Sequence, residues 1–332
     1  MSFSGLFNSD REWFWRLLKI VAHIIAPFGM RNNITILIYH QVLPVKDNLR
    51  QDCINREEFD QQMRIISKLF NVVTIEEAAR YIEQGNIPPR TIVITFDDGY
   101  SDNYHEALPI LKKYGLPAIF YVVGDAVRSG ALWNDTVFEI IKATRQPEID
   151  LSELGLGKYP FLSDRDKQNV MNLLIENLKT LMPEEQKNRI NTLKVITGNV
   201  SLTTRNMLTK DELISLSEEK GMTIGTHTMR HPMMSYIGIT DAQSDVIEGK
   251  EYIESIINKP IRHFSYPYGK YGENFHAEHL NMIASLGFKT AVTTNWGAVN
   301  KNSSRYFLQR FTPWDRDPLR FFLRICWNFN KS

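Results

Sequence analysis

The sequence of 332 residues is poor in cysteine and carries almost no net charge. Its two cysteines, Cys53 and Cys326, lie far apart along the chain. Their scarcity indicates a reducing compartment, or at most one disulfide. With 39 basic and 38 acidic residues, no overall field attracts a nucleic acid. We therefore expect a cytoplasmic protein with a large core and no nucleic-acid partner.

A long uncharged apolar run is also missing. Residues 13–28 are apolar but are interrupted by Arg16, Lys19 and His23, which leaves the segment too short and too charged for a comfortable membrane span. No small-residue cleavage site follows, so a secretory signal is not expected. The spacing predicts a basic amphipathic helix within residues 1–30. Packing over the end of the domain is the favoured interpretation, and contact with the inner face of a membrane is the alternative.

Strands and helices alternate through residues 31–332, which is typical of parallel β/α units. A helical, highly charged region at about 131–206 interrupts the alternation, and the rhythm resumes behind it, so this region is predicted to be an insertion. The count of about eight strands predicts an α/β fold of the irregular (β/α) barrel kind. The predicted strands are 34–40, 71–73, 91–96, 117–123, 222–227, 262–266, 288–294 and 306–311.

Three helix starts are marked by capping residues. Thr209 with Glu212 and Thr240 with Gln243 fit the capping-box spacing. Asp317 precedes a proline, the pattern of a cap followed by proline at the first helical position. Each is predicted to open a helix, the last one amphipathic.

Adjacent carboxylates end the strand at 91–96. Asp97 and Asp98 repel one another in a partly buried site unless a cation or a basic partner keeps both ionised. Because successive strand residues point to opposite sides, one carboxylate can bind a metal while the other faces a water molecule. An ordinary Asp-Asp-Gly turn is the alternative.

Two further strand ends carry ionisable or turn-forming residues. His227 and His231 are four residues apart and could hold one ion together with a carboxylate from another strand, leaving a position open for water. A surface coincidence is the alternative. Arg262 could pair with the unliganded aspartate, and the bend at 267–269 could turn the amide of Tyr268 into the site.

These segments together resemble the first three motifs of the polysaccharide deacetylases, carbohydrate esterase family four. The motifs are TFDDG at 95–99, HTxxHP at 227–232 and RxFxxPYG at 262–269, and they stand in the expected order. The resemblance covers about residues 34–311. It implies a distorted (β/α)7-type barrel, a divalent metal that is usually zinc, and hydrolysis of N-acetyl groups on amino sugars, less often of O-acetyl groups.

The resemblance also implies residue roles. Metal ligands would be Asp98, His227 and His231. Asp97 would be the general base, tuned by Arg262, and the backbone amide of Tyr268 would stabilise the oxyanion. The implied substrate is an N-acetylhexosamine unit of a polysaccharide or glycan precursor. The basic N-terminal helix makes a lipid-linked sugar at a membrane an alternative.

The general acid departs from the family pattern. The family usually supplies it from a histidine in a Leu-x-His motif near the C-terminus, but no histidine follows His279. We hypothesise that His40, which ends the first strand, is the acid, with that strand standing where the C-terminal one would in a circularly permuted barrel. A structural histidine that caps the strand is the alternative.

Three residues beside these strand ends are assigned to substrate binding, namely Tyr100, Trp296 and Arg310. Trp296 could line an acetyl pocket or pack in the core, and Arg310 could reach Asp97 or the sugar. The segment 133–135 opens the insertion and could edge the cleft or be structural. A catalytically silent carbohydrate-binding barrel is the rival to an enzyme, although such a protein gains little from an unliganded Asp97.

Overall fold

Buried β-branched runs form the strands of one parallel sheet. In this computed structural model, which describes residues 7, 11–47, 49–50, 52–200 and 205–331, β1 and β5 are buried along their whole length, as expected of parallel strands covered on both faces. The strands are β1 Ile34–Tyr39, β2 Val42–Leu43, β3 Ile54–Asn55, β4 Asn71–Val72, β5 Thr91–Phe96, β6 Ala118–Val122, β7 Glu148–Asp150, β8 Lys158–Pro160, β9 Met222–Thr226, β10 His263–Ser265, β11 Thr290–Trp296 and β12 Leu308–Arg310.

Seven of these strands form a nearly closed barrel in the order β1-β5-β6-β9-β10-β11-β12. Closure comes from Phe311, directly after β12. Its amide donates to the carbonyl of Ile36 over 2.8 Å, and its carbonyl accepts from the amide of Ile38 over 3.1 Å. The predicted barrel is therefore confirmed. The predicted strand at 71–73 contributes β4, which pairs with the start of β5 and lies off the path of the barrel.

Helices cover the outside of the barrel, and several begin at a residue whose side chain caps the first turn, as Asn55, Thr74 and Ser163 do. The helices are α1 Glu12–Ile25, α2 Gly29–Asn32, α3 Arg56–Leu69, α4 Ile75–Gln84, α5 Leu108–Tyr114, α6 Gly124–Ser129, α7 Trp133–Ala143, α8 Asp164–Leu178, α9 Pro183–Ile196, α10 Lys210–Glu218, α11 Ile239–Ile257, α12 Ala277–Ser285 and α13 Pro318–Asn328. A π-helical turn at Asn103–Ala107 precedes α5.

Two of the three predicted helix caps are confirmed, and one is wrong. Thr209 and Asp317 cap α10 and α13 as predicted. The capping box predicted at Thr240 is wrong, because α11 begins one residue earlier at Ile239. The amide of Ala242 already closes the first helical turn onto the carbonyl of Gly238.

The insertion has a hydrophobic core of its own. Between α6 and α10 the chain forms α7, the antiparallel hairpin β7–β8, α8 and α9. Their apolar residues pack together in a cluster separate from that of the barrel, with Val137, Ile149 and Leu174 at its centre. The polar side of α8 is turned towards the barrel mouth, where Gln168 and Asn172 line a cavity.

The N-terminal helix α1 packs on the outside of the barrel against α3 and α13. Its inward side buries Phe14, Leu18 and Ala22, as the favoured interpretation expects. Among the described residues, no helix combines the length and apolarity needed to cross a bilayer. Residues 1–6 and 8–10 of the predicted N-terminal segment lie outside the described ranges.

Candidate active site

The carboxyl ends of the barrel strands meet at one cavity of about 960 Å³, a size within the usual range for ligand sites. Asp97 and Asp98 follow β5, His227 follows β9, and Tyr268 lies shortly after β10. These four residues all line the cavity. The prediction that strand ends bring the motifs together is confirmed.

Three side chains form a triangle of ligand atoms. The Nε2 atoms of His227 and His231 are 3.2 Å apart, and each lies 3.6 Å from Oδ1 of Asp98. Zinc bonds of about 2.0–2.1 Å in a tetrahedron place ligand atoms roughly 3.3 Å apart. The triangle therefore has the size that a small divalent cation requires.

The surroundings prepare these atoms to act as ligands. The ring Nδ1 of His227 lies 2.8 Å from the carbonyl oxygen of Ser265, which can only accept, so Nδ1 carries the proton and Nε2 keeps its lone pair. Oδ1 of Asp98 is buried without a hydrogen-bond donor among the described residues. Asp98 and His231 also adopt left-handed backbone conformations, with φ of 77° and 55°, a strain that tends to concentrate at functional sites.

Burial controls the protonation of the triad. It lowers the pKa of His227 to about 4 and holds that of His231 well below its ordinary value, so both rings are neutral at pH 7. Burial, and then the neighbouring Asp97, raises the pKa of Asp98 well above its usual range. Two neutral imidazoles and a carboxylate that lacks a balancing charge form a suitable ligand set for a divalent metal.

Asp97 is held in a different way. Its Oδ1 and Oδ2 accept hydrogen bonds of 2.7 Å from Nη1 and Nη2 of Arg310, and Oδ2 also accepts from the hydroxyl of Ser265 over 3.1 Å. Burial would raise the pKa of Asp97, but the charge and the hydrogen bonds of Arg310 outweigh it and keep the pKa well below its ordinary value. Asp97 is therefore ionised, 3.9 Å from Nε2 of His227.

The prediction that Arg262 tunes Asp97 is wrong. Arg262 is exposed and precedes β10, at the amino end of the strand, whereas Asp97 follows the carboxyl end of β5. Arg310 is the partner instead. It is 0% exposed, so the prediction that it binds substrate is also wrong, whereas the alternative that it reaches Asp97 is confirmed.

Tyr268 presents its backbone towards the cavity. It has a left-handed conformation with φ of 59°, and within the described ranges its N–H has no acceptor. Its ring lies 4.9 Å from that of His231. This geometry leaves the amide available to a ligand, as the sequence predicts.

His40 is brought beside Asp97 by the strand register. Tyr39 of β1 pairs with Phe96 of β5, so the two residues that follow are neighbours at the cavity. The side chain of His40 is exposed at the cavity, while the protein around it lowers its pKa by desolvation, the charge of Asp97 opposes that shift, and Arg310 adds to it. β1 closes the barrel between β12 and β5, which is the place that the permutation hypothesis gives it.

Of the two aromatic residues assigned to substrate binding, Tyr100 lines the cavity and Trp296 does not. Trp296 stacks on Trp314 with ring centroids 4.5 Å apart, and Trp314 is the tryptophan that lines the cavity. Tyr100 lines the cavity and is 4% exposed, so its assignment to substrate binding stays a prediction. Ser265, which orients both His227 and Asp97, was missed, although it stands within the third motif.

The sequence profile described as polysaccharide deacetylase matches residues 84–149 and 178–291, which is more than half of the chain. The chain belongs to the polysaccharide deacetylase family. The match leaves out residues 150–177 of the insertion and also the barrel strands β1 and β12, whereas it includes the motifs at 95–99, 227–232 and 262–269.

Relatives of this deacetylase have similarly named functions. It is 22% identical over 277 residues to YxkH of Bacillus subtilis, assigned by name to the polysaccharide deacetylases, with 83% of this chain and 69% of that one aligned. It is 28% identical over 117 residues to the poly-β-1,6-N-acetyl-D-glucosamine N-deacetylase of Staphylococcus epidermidis, but this match covers 31% of the chain and 40% of that relative.

Solved structures of deacetylases share the fold. The Streptococcus pyogenes deacetylase PplD matches with a TM-score of 0.56 and 20% identity, over 85% of this chain and 92% of that one. IcaB from Ammonifex degensii matches with a TM-score of 0.55 and 19% identity, over 90% and 97%. The barrel and the family are thus those implied by the sequence motifs.

Proposed function

We propose that this polysaccharide deacetylase is a metal-dependent hydrolase that removes N-acetyl groups from N-acetylhexosamine units of a polysaccharide or glycan precursor. The triangle of Asp98, His227 and His231, beside an ionised Asp97, carries the proposal. Relatives named as N-deacetylases of poly-β-1,6-N-acetyl-D-glucosamine support the substrate class.

The residues divide the reaction between them. Asp98, His227 and His231 would hold a divalent cation such as zinc, which would supply Lewis acidity and make water a stronger acid. Asp97 accepts the proton of the attacking water, and Arg310 keeps that carboxylate ionised and oriented. The amide of Tyr268 donates to the developing oxyanion, a contact that contributes roughly 3 kcal/mol. His40 protonates the leaving amine.

Asp97→Asn tests this function. We expect acetate release from an N-acetylglucosamine oligomer to fall by about 10²–10⁴-fold, the usual contribution of an acid–base group. Asp241→Asn, at an exposed position on α11, is the matched control and should keep full activity. Metal content and circular dichroism establish that both variants are loaded and folded. Undiminished acetate release by folded Asp97→Asn would overturn the proposal.

The outward side of α1 supports a second proposal, contact with an anionic membrane surface. Its spacing of four, three, four and four residues places five large apolar side chains on one helical stripe. The exposed side chains are Trp13 at 55%, Leu17 at 48%, Ile20 at 58%, Ile24 at 73% and, just beyond the helix, Phe28 at 81%. On α13, which packs beside α1, Trp327 is 56% exposed.

The charge of the segment around this apolar stripe indicates that its partner is anionic. Residues 11–32 hold four Lys or Arg and one Glu, in a chain whose 39 basic and 38 acidic residues otherwise nearly balance. Basic residues beside exposed tryptophan and aliphatic side chains are typical of helices that lie in the interface of anionic bilayers. The surface would bring the enzyme to a glycan or lipid-linked sugar at the membrane, and the cytoplasmic face stays a prediction.

Vesicle flotation tests the membrane contact. Vesicles containing phosphatidylglycerol should bind the protein, and pure phosphatidylcholine vesicles should bind it at least tenfold less. The triple variant Leu17→Ser, Ile20→Ser, Ile24→Ser should lose binding. A control triple variant at exposed sites elsewhere, Val45→Ser, Leu162→Ser, Val195→Ser, should keep it. Equal binding by both variants, or a dimer that the first variant dissociates, would contradict this assignment.

A further inference from the structure

The start of the insertion forms one wall of the active-site cavity. Two oxygen atoms of this wall accept no hydrogen bond from the described residues. Oδ1 of Asn134 and Oδ2 of Asp135 are buried, and neither has a hydrogen-bond partner among the residues that the structure describes. Both residues line the cavity, and Asp135 is 3% exposed. A buried acceptor left unpaired is costly, so this wall is suited to receive hydrogen-bond donors.

Arg50 holds Asp135 in place. Its Nη2 lies 3.1 Å from Oδ1 of Asp135 and 3.5 Å from Glu139, and its guanidinium lies 3.9 Å from the ring centroid of Phe138. A second hydrogen bond joins it to Gln41. With these contacts Arg50 positions Asp135 and balances its charge, while Oδ2 stays open.

Tyr100 places the acceptors next to the metal ligands. Tyr100, Asp98 and Asp135 line the same cavity, and burial, followed by the charges of Asp135 and Asp98, raises the pKa of the Tyr100 hydroxyl, so this phenol lies close to both carboxylates. A sugar whose acetamide group faces Asp98 therefore has the rest of its ring within reach of Asn134 and Asp135.

We infer that Asn134 and Asp135 accept hydrogen bonds from hydroxyl groups of the hexosamine unit that is being deacetylated. The inference rests on the proposed function and adds the residues that select the sugar. Two acceptors match hydroxyl donors and disfavour a phosphate or carboxylate ligand. Since Arg50 already balances Asp135, a neutral hydroxyl fits without leaving an excess charge. Sites that hydrogen-bond a substrate hydroxyl discriminate strongly against analogues without it.

Two substrates separate sugar selection from chemistry. The holoenzyme is assayed with an N-acetylglucosamine trisaccharide and with 4-nitrophenyl acetate, which offers no hydroxyl groups. For Asn134→Ala we expect kcat/KM to fall about 10–100-fold on the trisaccharide, in line with the loss of one buried hydrogen bond. On the aryl ester it should stay within about twofold, because the triad and Asp97 are untouched.

Further variants keep the test decisive. Asn134→Asp retains an acceptor and should restore most of the trisaccharide activity. Asn177→Ala, at an exposed asparagine on the neighbouring helix α8, should behave like the unmodified protein. In an Asp97→Asn background, calorimetry should show weaker trisaccharide binding when Asn134→Ala is added.

Two results would overturn the inference, namely no loss on the trisaccharide or an equal loss on both substrates at full metal content. Tighter binding of the glucosamine trisaccharide than of its acetylated form would also overturn it, because the wall would then select an ammonium group. Wild-type protein that hydrolyses the ester but no acetamido sugar would instead refute the proposed function.

Discussion

The barrel mouth and the insertion wall face the same cavity but treat their buried polar groups differently. At the mouth, Arg310 donates to Asp97, Thr95, Ser265 and the carbonyl of Thr293, so the reactive carboxylate is fixed by the chain itself. At the wall, two buried acceptors receive no hydrogen bond from the part of the chain that the structure describes. The barrel therefore positions the reactive groups with its own side chains. The separately packed insertion instead supplies hydrogen-bond acceptors for the substrate.

Arg310→Met should have the largest effect, because it breaks the network at the barrel mouth. Removing the cation leaves Asp97 buried and unpaired, and losing one partner of a buried pair costs about 3–5 kcal/mol. Urea denaturation measures this loss. Arg262→Met is the control and should change the free energy of unfolding by less than about 0.5 kcal/mol, as is usual at exposed positions. Similar losses from both variants would contradict the assignment of Arg310 to Asp97.

Leu174→Ala tests the separate packing of the insertion. Leu174 is 1% exposed in the insertion core, and truncation of such a leucine costs about 2–5 kcal/mol. Hydrogen exchange should speed up in α7–α9 and stay unchanged in β5 and β9. Leu162→Ala, at a position that is 79% exposed, provides the control. Uniform loss of protection across the barrel would show that the two regions unfold as one unit.

Substitutions of helix caps should have the smallest effects on stability. Both the insertion and the helical layer of the barrel contain such caps. Ser163→Ala at α8 and Thr209→Ala at α10 each remove a capping box, which costs typically about 1 kcal/mol. Exchange measurements should localise the first loss to the insertion and the second to the barrel layer. Thr240→Ala should cost less than about 0.5 kcal/mol, since Thr240 lies inside α11 and an exposed substitution away from a cap has little effect. A loss from Thr240→Ala as large as that from Thr209→Ala would contradict this.

The triad was predictable because short motifs carry it. Asp98, His227 and His231 follow buried strands, and the carboxyl ends of parallel strands converge at one end of a barrel. His40 was found by the same rule, and the β1–β5 register places it beside Asp97. The local sequence pattern and the direction of the strands were sufficient to predict these positions.

The partners of these residues depend on contacts between distant segments. Arg262 was assigned to Asp97 because it stands in a motif, yet β10 begins at His263 and leaves it at the amino end. Arg310 is 213 residues from Asp97, and its role depends on β12 closing the barrel. Similarly, the contact of Arg50 with Asp135 joins a loop after β2 to the insertion, a pairing that spacing along the chain does not encode.

Metal binding tests the central claim most directly. Chelator-stripped protein titrated with zinc should bind one ion per chain, and His231→Ala should abolish that binding or weaken it by several orders of magnitude. His105→Ala, which removes an exposed histidine paired with Glu212, should leave the binding unchanged. Stoichiometric zinc binding of undiminished affinity in His231→Ala would contradict the assignment of Asp98, His227 and His231 as the metal centre.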